Sequence, residues 1–168
     1  MILIISTCQE KLSENEFVKP IAEIIGKYEV KHYSEVTNVN DYEKIIICGT
    51  ALQDNKYLKN NFSWLKDCEK PVLGICAGMQ IIALTFGGKL IDQNEIGMVD
   101  VKIEKENKLL TKNFKAYALH NKAVENLNQF EILARSDKAV QCIKHKKAYG
   151  ILFHPEVRNK EIIKRFIE

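Results

Sequence analysis

The segment Lys70-Pro-Val-Leu-Gly-Ile-Cys-Ala-Gly-Met-Gln80 carries the residues best suited to covalent chemistry. Gly74 and Gly78 lie two positions either side of Cys76, the glycine spacing of a nucleophile elbow with cysteine in the serine position. Such a turn holds its central residue in a sparsely allowed conformation. Side chains two positions away would meet the neighbouring chain, so both glycines are structural requirements. The turn lifts the sulfur out at the carboxyl end of a sheet, where the N-terminus of the following helix favours the thiolate. The Ala77 backbone N–H then faces the position where a substrate oxyanion would form. The plainer reading is a small buried cysteine beside helix-packing glycines. The strand pattern before Cys76 and the helix pattern after it favour the nucleophile.

A cysteine nucleophile needs a base, and the base needs an orienting group. Phe153-His-Pro-Glu-Val157 offers both. It follows the apolar stretch 148–153, so it also falls at a strand end. Glu156 can accept the second imidazole N–H of His154, fixing its tautomer and favouring the imidazolium. Alone, a His-Pro-Glu run is more often a polar surface turn; paired with an upstream elbow cysteine it reads as catalytic.

Strands and helices must carry these groups to one place. Ile2–Ile5, Glu29–Tyr33, Lys44–Cys48 and Val72–Ile75 read as strands, the most apolar of them without alternation, which predicts a mostly parallel sheet covered on both faces. Ser13 and Glu16 form a capping-box pattern for a helix to about Lys27, interrupted or opened by Pro20. A second helix spans 77–86 and stops at Gly87-Gly88. In the C-terminal half, 99–103, 116–119, 131–134, 140–143 and 148–153 read as strands suited to antiparallel pairing or an edge extension. Asn159 is placed to cap a last helix burying Ile162, Ile163, Phe166 and Ile167. The expectation is one α/β domain over residues 1–168.

The composition narrows the function classes. The 168 residues are 46% hydrophobic and 28% charged, ordinary for a globular protein. Lys and Arg number 25 against 22 Asp and Glu, too small an excess to predict nucleic-acid or membrane binding. The five cysteines form no C-x-x-C pair and the four histidines no H-x-x-x-H pair, so neither a disulfide framework nor a metal site is expected. A reduced cytoplasmic setting fits. The Met1–Ser6 segment reads as a strand rather than a signal peptide. Lys144–Lys147 reads as a solvated hairpin turn, and Cys8, Cys48 and Cys142 as packing residues near or within strands.

Gly74–Gln80, Gly87-Gly88 and Phe153–Glu156 together resemble the class I glutamine amidotransferases. The resemblance runs from about Lys44 to Glu168 and includes Gln129–Asp137 and Tyr149–Val157. It is strongest to the small amidotransferase subunits of two-part archaeal GMP synthases. It implies a flavodoxin-like three-layer sandwich and hydrolysis of L-glutamine by a triad of Cys76, His154 and Glu156. Ala77, Gly49 and Thr50 then serve the oxyanion, and Gln80 and His120 line the substrate pocket. The chain itself would carry no cofactor. ATP and Mg would belong to a synthetase partner, the ATP-pyrophosphatase subunit of GMP synthase, consistent with the lack of a G-x-x-x-x-G-K-[ST] loop here.

Three departures qualify the resemblance. The oxyanion loop reads Cys48-Gly-Thr-Ala51 in place of Ser-Gly-Gly-Pro. A β-branched Thr50 is strained if that position needs positive φ, which would leave its N–H turned away until a partner reorients it. Leu119 and Lys122-Ala123 replace the Ser and Asp expected around His120, and Ser6-Thr-Cys-Gln9 replaces an Asp-Asn-Gly segment. The alternatives are a stand-alone γ-glutamyl hydrolase and an impaired, partner-binding homologue. For Gln80 and His120, the plainer readings are a solvent-facing polar residue and a half-buried histidine in a turn.

Overall fold

The computed structural model describes residues 1–168. Its strands are β1 (Ile2–Ser6), β2 (Tyr28–His32), β3 (Lys44–Ile47), β4 (Val72–Ile75), β5 (Lys89–Ile103), β6 (Phe114–Glu125), β7 (Glu131–Arg135), β8 (Val140–His145) and β9 (Ala148–Ile151). They form one sheet in the order β2-β1-β3-β4-β9-β8-β7-β5-β6. The neighbours from β2 through β9 are parallel; the rest pair antiparallel. This is the expected parallel sheet with antiparallel additions in the C-terminal half.

Side-chain alternation makes the layers. Ile4, Ile46 and Leu73 pack on one face with the helical segments near Val18 and Ile21 and with Ile162, Ile163 and Phe166. Leu3, Ile5, Ile45, Ile47 and Val72 face the other way, against Ala77, Ile81 and Ile82 and the turns around Tyr57 and Leu65. Apolar residues buried on both faces explain why these strands lack an alternating pattern.

The first expected helix is broken in two, α1 (Glu14–Phe17) and α2 (Lys19–Ala22), after a short turn at Lys11–Ser13. Pro20 has no N–H to continue the ladder, and Val18 takes both ends. Ser13 is itself helical in φ and ψ and makes no capping bond, so the capping box does not form. The helix after the elbow is α3 (Ala77–Thr85), ended by Gly87 at φ +89°. The last helix, α4 (Glu161–Ile167), buries Ile162, Ile163 and Phe166 and leaves Ile167 partly buried. Asn159 does not cap it; Lys160 holds that place and Asn159 sits at φ 76°. The larger difference is the β5–β6 pair, which extends from Lys89 opposite Glu125 to Val101 opposite Phe114 as a long two-stranded arm. The basic run is the β8–β9 turn, with Lys146 at φ 52°. No helix is long and apolar enough to cross a membrane.

Candidate active site

Cys76 lies between β4 and α3 at φ 49°, ψ −99°, a region a non-glycine residue occupies only under constraint. The constraint is visible in its two glycines. A Cβ on Gly74 would fall 2.4 Å from the Gly78 carbonyl group, and one on Gly78 would fall 2.3 Å from the Ile47 oxygen. Both obstacles are backbone, so no larger residue fits. The Cys76 N–H donates to the Ile151 carbonyl at 2.7 Å, tying the elbow to β9.

The same pairing delivers the base. Ile75 is in parallel register with Ile151, so the chain leaving β9 emerges beside the elbow and turns into His154. The His154 N–H donates to the Tyr117 carbonyl at 2.8 Å, which fixes this turn against β6. A Cβ on Gly49 would lie 2.8 Å from His154 Cε1 and 3.4 Å from Cys76 Cβ, so sulfur and imidazole share one recess floored by Gly49. Phe17 and Tyr117 flank the imidazole at ring-centroid distances of 5.7 and 6.5 Å.

Both imidazole nitrogens face oxygen. Nδ1 is 2.7 Å from Glu156 Oε1, and Nε2 is 3.4 Å from the Leu119 carbonyl, which also accepts from Cys76 Sγ at 3.5 Å. Burial alone would push the His154 pKa down. The Glu156 carboxylate, the Cys76 sulfur and hydrogen bonds to both override it and hold the imidazole well above its ordinary value. Two facing acceptors suit the doubly protonated ring. Burial pushes Cys8, Cys48, Cys68 and Cys142 upward, so these free thiols stay protonated.

Beside the sulfur, a narrow cleft is lined by Thr50, Tyr57, Ala77, Gln80, Leu119 and His120, among others. It leaves only about 20 Å³ open to water. Asn121 Nδ2 crosses it to the Leu52 carbonyl at 3.4 Å. Gln80 is buried at the start of α3, not solvent-facing; its oxygen accepts from the Tyr57 hydroxyl and its Nε2 lies 3.4 Å from the Lys122 carbonyl. His120 lies fully buried within β6, not half-buried in a turn. Its Nε2 is 3.0 Å from Glu95 Oε1, while its Nδ1 has no partner. Glu95 also accepts from Gln141 at 2.7 Å and Ser136 at 2.7 Å. The strain anticipated at Thr50 does not arise, because neither Gly49 nor Thr50 has positive φ.

Sequence reasoning therefore points to the three side chains brought together here, but not to the Leu119 carbonyl between them, the Tyr57 hydroxyl on Gln80, or the Glu95 cluster behind His120. A backbone carbonyl, and a buried carboxylate on a strand of mixed polar and apolar residues, leave no local mark in sequence.

An α/β sheet with a cysteine elbow and a His–Glu pair at the carboxyl end of its parallel strands is the architecture of an acyl-transferring hydrolase. Residues 15–168 match the family described as Glutamine amidotransferase class-I. The chain belongs to this family and is a glutamine-hydrolysing enzyme. It is 36% identical over 145 residues to the glutamine-hydrolysing GMP synthase subunit of Methanocaldococcus jannaschii, covering 79% of this chain and 76% of that one. To the corresponding protein of Methanosphaera stadtmanae it is 43% identical over 109 residues, 57% of this chain and 59% of that protein. The fold matches the crystal structure of a protein assigned as the same type of GMP synthase subunit in Thermoplasma acidophilum, with a TM-score of 0.81 at 24% identity over 99% of this chain and 92% of the other. It also matches a glutamine amidotransferase from Thermotoga maritima, with a TM-score of 0.75 at 22% identity over 99% and 80%.

Proposed function

We propose that this chain is the glutaminase subunit of a two-part synthetase, with Cys76, His154 and Glu156 as its catalytic triad. Glutamine enters the cleft beside Gln80 and His120. The Cys76 thiolate attacks the γ-carboxamide carbon, and the carbonyl oxygen becomes an oxyanion held by the Ala77 and Thr50 N–H groups. Ala77 opens α3 and so has an N–H without an intrahelical partner. His154 protonates the departing ammonia through Nε2, leaving a Cys76 thioester. It then takes a proton from the water that attacks this thioester, releasing glutamate and the thiol. Glu156 holds Nδ1–H and supports the imidazolium.

The observation that carries this reading is the single recess shared by Cys76 and His154 over Gly49. The names of the archaeal relatives support GMP synthase as the destination of the ammonia, with XMP as acceptor and with ATP and Mg handled by the ATP-pyrophosphatase subunit. The narrow cleft fits a glutaminase that widens on its synthetase. The test measures ammonia and glutamate from L-glutamine with the chain by itself and with that synthetase partner loaded with XMP and ATP. Stimulated release, with GMP formed from glutamine, is expected. Release indifferent to the synthetase, with cleavage of γ-glutamyl peptides, would favour the stand-alone hydrolase. Failure of Cys76 to react with a glutamine-analogue diazoketone, even in the complex, would leave a partner-binding homologue.

A further inference from the structure

The residues after β1 reach the loop that follows β3. Ile5 is opposite Ile47 in parallel register, and the Cys48 N–H donates to the Ile5 carbonyl at 3.0 Å. Thr7 and Cys8 therefore emerge beside Gly49. Thr7 Oγ1 lies 3.0 Å from the Cys48 carbonyl and 3.1 Å from the Gly49 carbonyl, with its one O–H shared between them. Cys8 Sγ donates to the Gly49 carbonyl at 3.8 Å. Beyond them, Asp54 Oδ2 accepts from the Gln9 N–H at 2.7 Å and from the Thr50 hydroxyl at 2.8 Å. The loop is thus stitched to the β1 side at consecutive residues, all of them in the segment where this chain departs from its family.

These bonds set the direction of one peptide. The Gly49–Thr50 bond is trans, so its C=O and N–H point opposite ways. The carbonyl is taken on the β1 side. Because β3 lies between β1 and β4, the N–H faces the β4 side, where Cys76 follows. The Thr50 N–H donates to no group within the protein, and Thr50 lines the cleft with Cys76 and Ala77. We propose that Thr7, assisted by Cys8, is a positioning residue that grips the Gly49 carbonyl and so keeps the Thr50 N–H aimed into the cleft as the second oxyanion donor. Burial keeps Cys8 a thiol, and so a donor. This arrangement reverses the resting state anticipated from sequence, in which the Thr50 N–H is turned away. The inference rests on the glutaminase reading above.

The test compares Thr7→Val, which keeps the shape and loses the donor, with Thr7→Ser, which keeps the donor, and with Cys8→Ala. Three probes are used: L-glutamine turnover, affinity for L-glutamate γ-semialdehyde, and alkylation of Cys76 by iodoacetamide. The aldehyde forms an S–C bond with Cys76, and its oxygen, which takes up the thiol proton, occupies the oxyanion position. Losing an oxyanion donor costs ~10²–10³-fold in turnover. Thr7→Val should lose ~10–10²-fold in kcat with KM within about threefold, and lose aldehyde affinity by a similar factor. Cys8→Ala should show a smaller loss in the same direction. Thr7→Ser should recover most of the activity, and iodoacetamide should react equally with all variants because the dyad is intact. A crystal structure of Thr7→Val should show the Gly49 carbonyl turned. Parental kcat and aldehyde affinity in Thr7→Val, or a Thr7→Ser as impaired as Thr7→Val, would overturn the inference. A parent chain that releases no ammonia on its own but binds the aldehyde leaves aldehyde affinity as the deciding measurement. A parent chain that does neither, even with the XMP- and ATP-loaded synthetase, refutes the glutaminase reading itself, and the inference with it.

Discussion

Replacing Glu156 with Gln isolates the role of one buried charge. The substitution keeps the side-chain shape and can keep an oxygen 2.7 Å from His154 Nδ1, but it removes the negative charge. Both side chains are 1% exposed, so water compensates little. At an effective dielectric of about 20 and a charge separation of about 4 Å, the lost attraction is at most ~4 kcal/mol. That corresponds to a ceiling of ~10³-fold in rate, and retained tautomer control argues for ~10²-fold or more. The new amide NH₂ would occupy the place of Glu156 Oε2, which has no partner, so stability should also fall by ~1–3 kcal/mol. The pH dependence has a definite sign. The His154 pKa is raised in the folded protein, so its contribution to stability is complete below an ordinary imidazole value of about 6.5 and is lost as pH rises through the folded value. Glu156→Gln should flatten that decline. It should also slow alkylation of Cys76 by iodoacetamide, because a less stabilised imidazolium supports the nucleophile less well. Ammonia release and iodoacetamide labelling between about pH 5 and 9, with the labelled cysteine mapped by peptide, measure both effects. Turnover within about twofold of the parent and an unchanged rate of Cys76 alkylation would refute the electrostatic role of Glu156.

Cys76→Ser should lose at least ~10⁴-fold in glutamine turnover while keeping its circular dichroism and melting transition, whereas Cys68→Ser should turn over normally. Gly78→Ala should destabilise by ~1–3 kcal/mol or more in urea, since its Cβ would sit 2.3 Å from the Ile47 oxygen. Gly26→Ala, with nothing within 4 Å of the added carbon, should be close to neutral in the same titration. For Glu95, burial favours a raised pKa, but hydrogen bonds from His120, Ser136 and Gln141 override it and leave the carboxyl lowered. Its contribution to stability is therefore present above the ordinary carboxylate range and lost as pH falls through the folded value. Glu95→Gln should cost ~1–3 kcal/mol at neutral pH and reduce the acid slope of unfolding free energy.

What sequence made legible was what sterics or local chemistry force. Gly74 and Gly78 stand where a Cβ would strike backbone, so the elbow is written in the residue types themselves. His154 and Glu156 lie two positions apart, and a short turn suffices to pair them. The break at Val18 was half legible, since Pro20 announced a defect without fixing its place. The long arm was legible only in part: 99–103 and 116–119 read as strands, but not the continuous pairing from Lys89 to Glu125. From Asp92 to Asp100 the solvent side of β5 mixes Asp92, Asn94 and Asp100 with the exposed Ile96 and Met98, so neither face shows a clean alternation and the pairing with β6 defines the strand. The Thr7–Gly49 contact depends on the register between β1 and β3, and the Glu95 cluster on bonds reaching from β5 to β6 and β8. Neither has a pattern that local reading can detect.

Strand β9 sits between β4 and β8. Its parallel partner, β4, was left behind in the chain before the whole β5–β8 region, so pairing Val72 with Ala148 closes a long loop. Such closures are entropically costly and late in folding. Until β9 inserts, Cys76 lacks the Ile151 carbonyl that anchors its strained turn, and His154 has no place beside it. A chain folded only through β8 therefore holds its sulfur without the His154 imidazole beside it. The nucleophile–base pair thus depends on a long-range closure as well as on the elbow, and a refolding chain is expected to acquire secondary structure before it acquires its dyad.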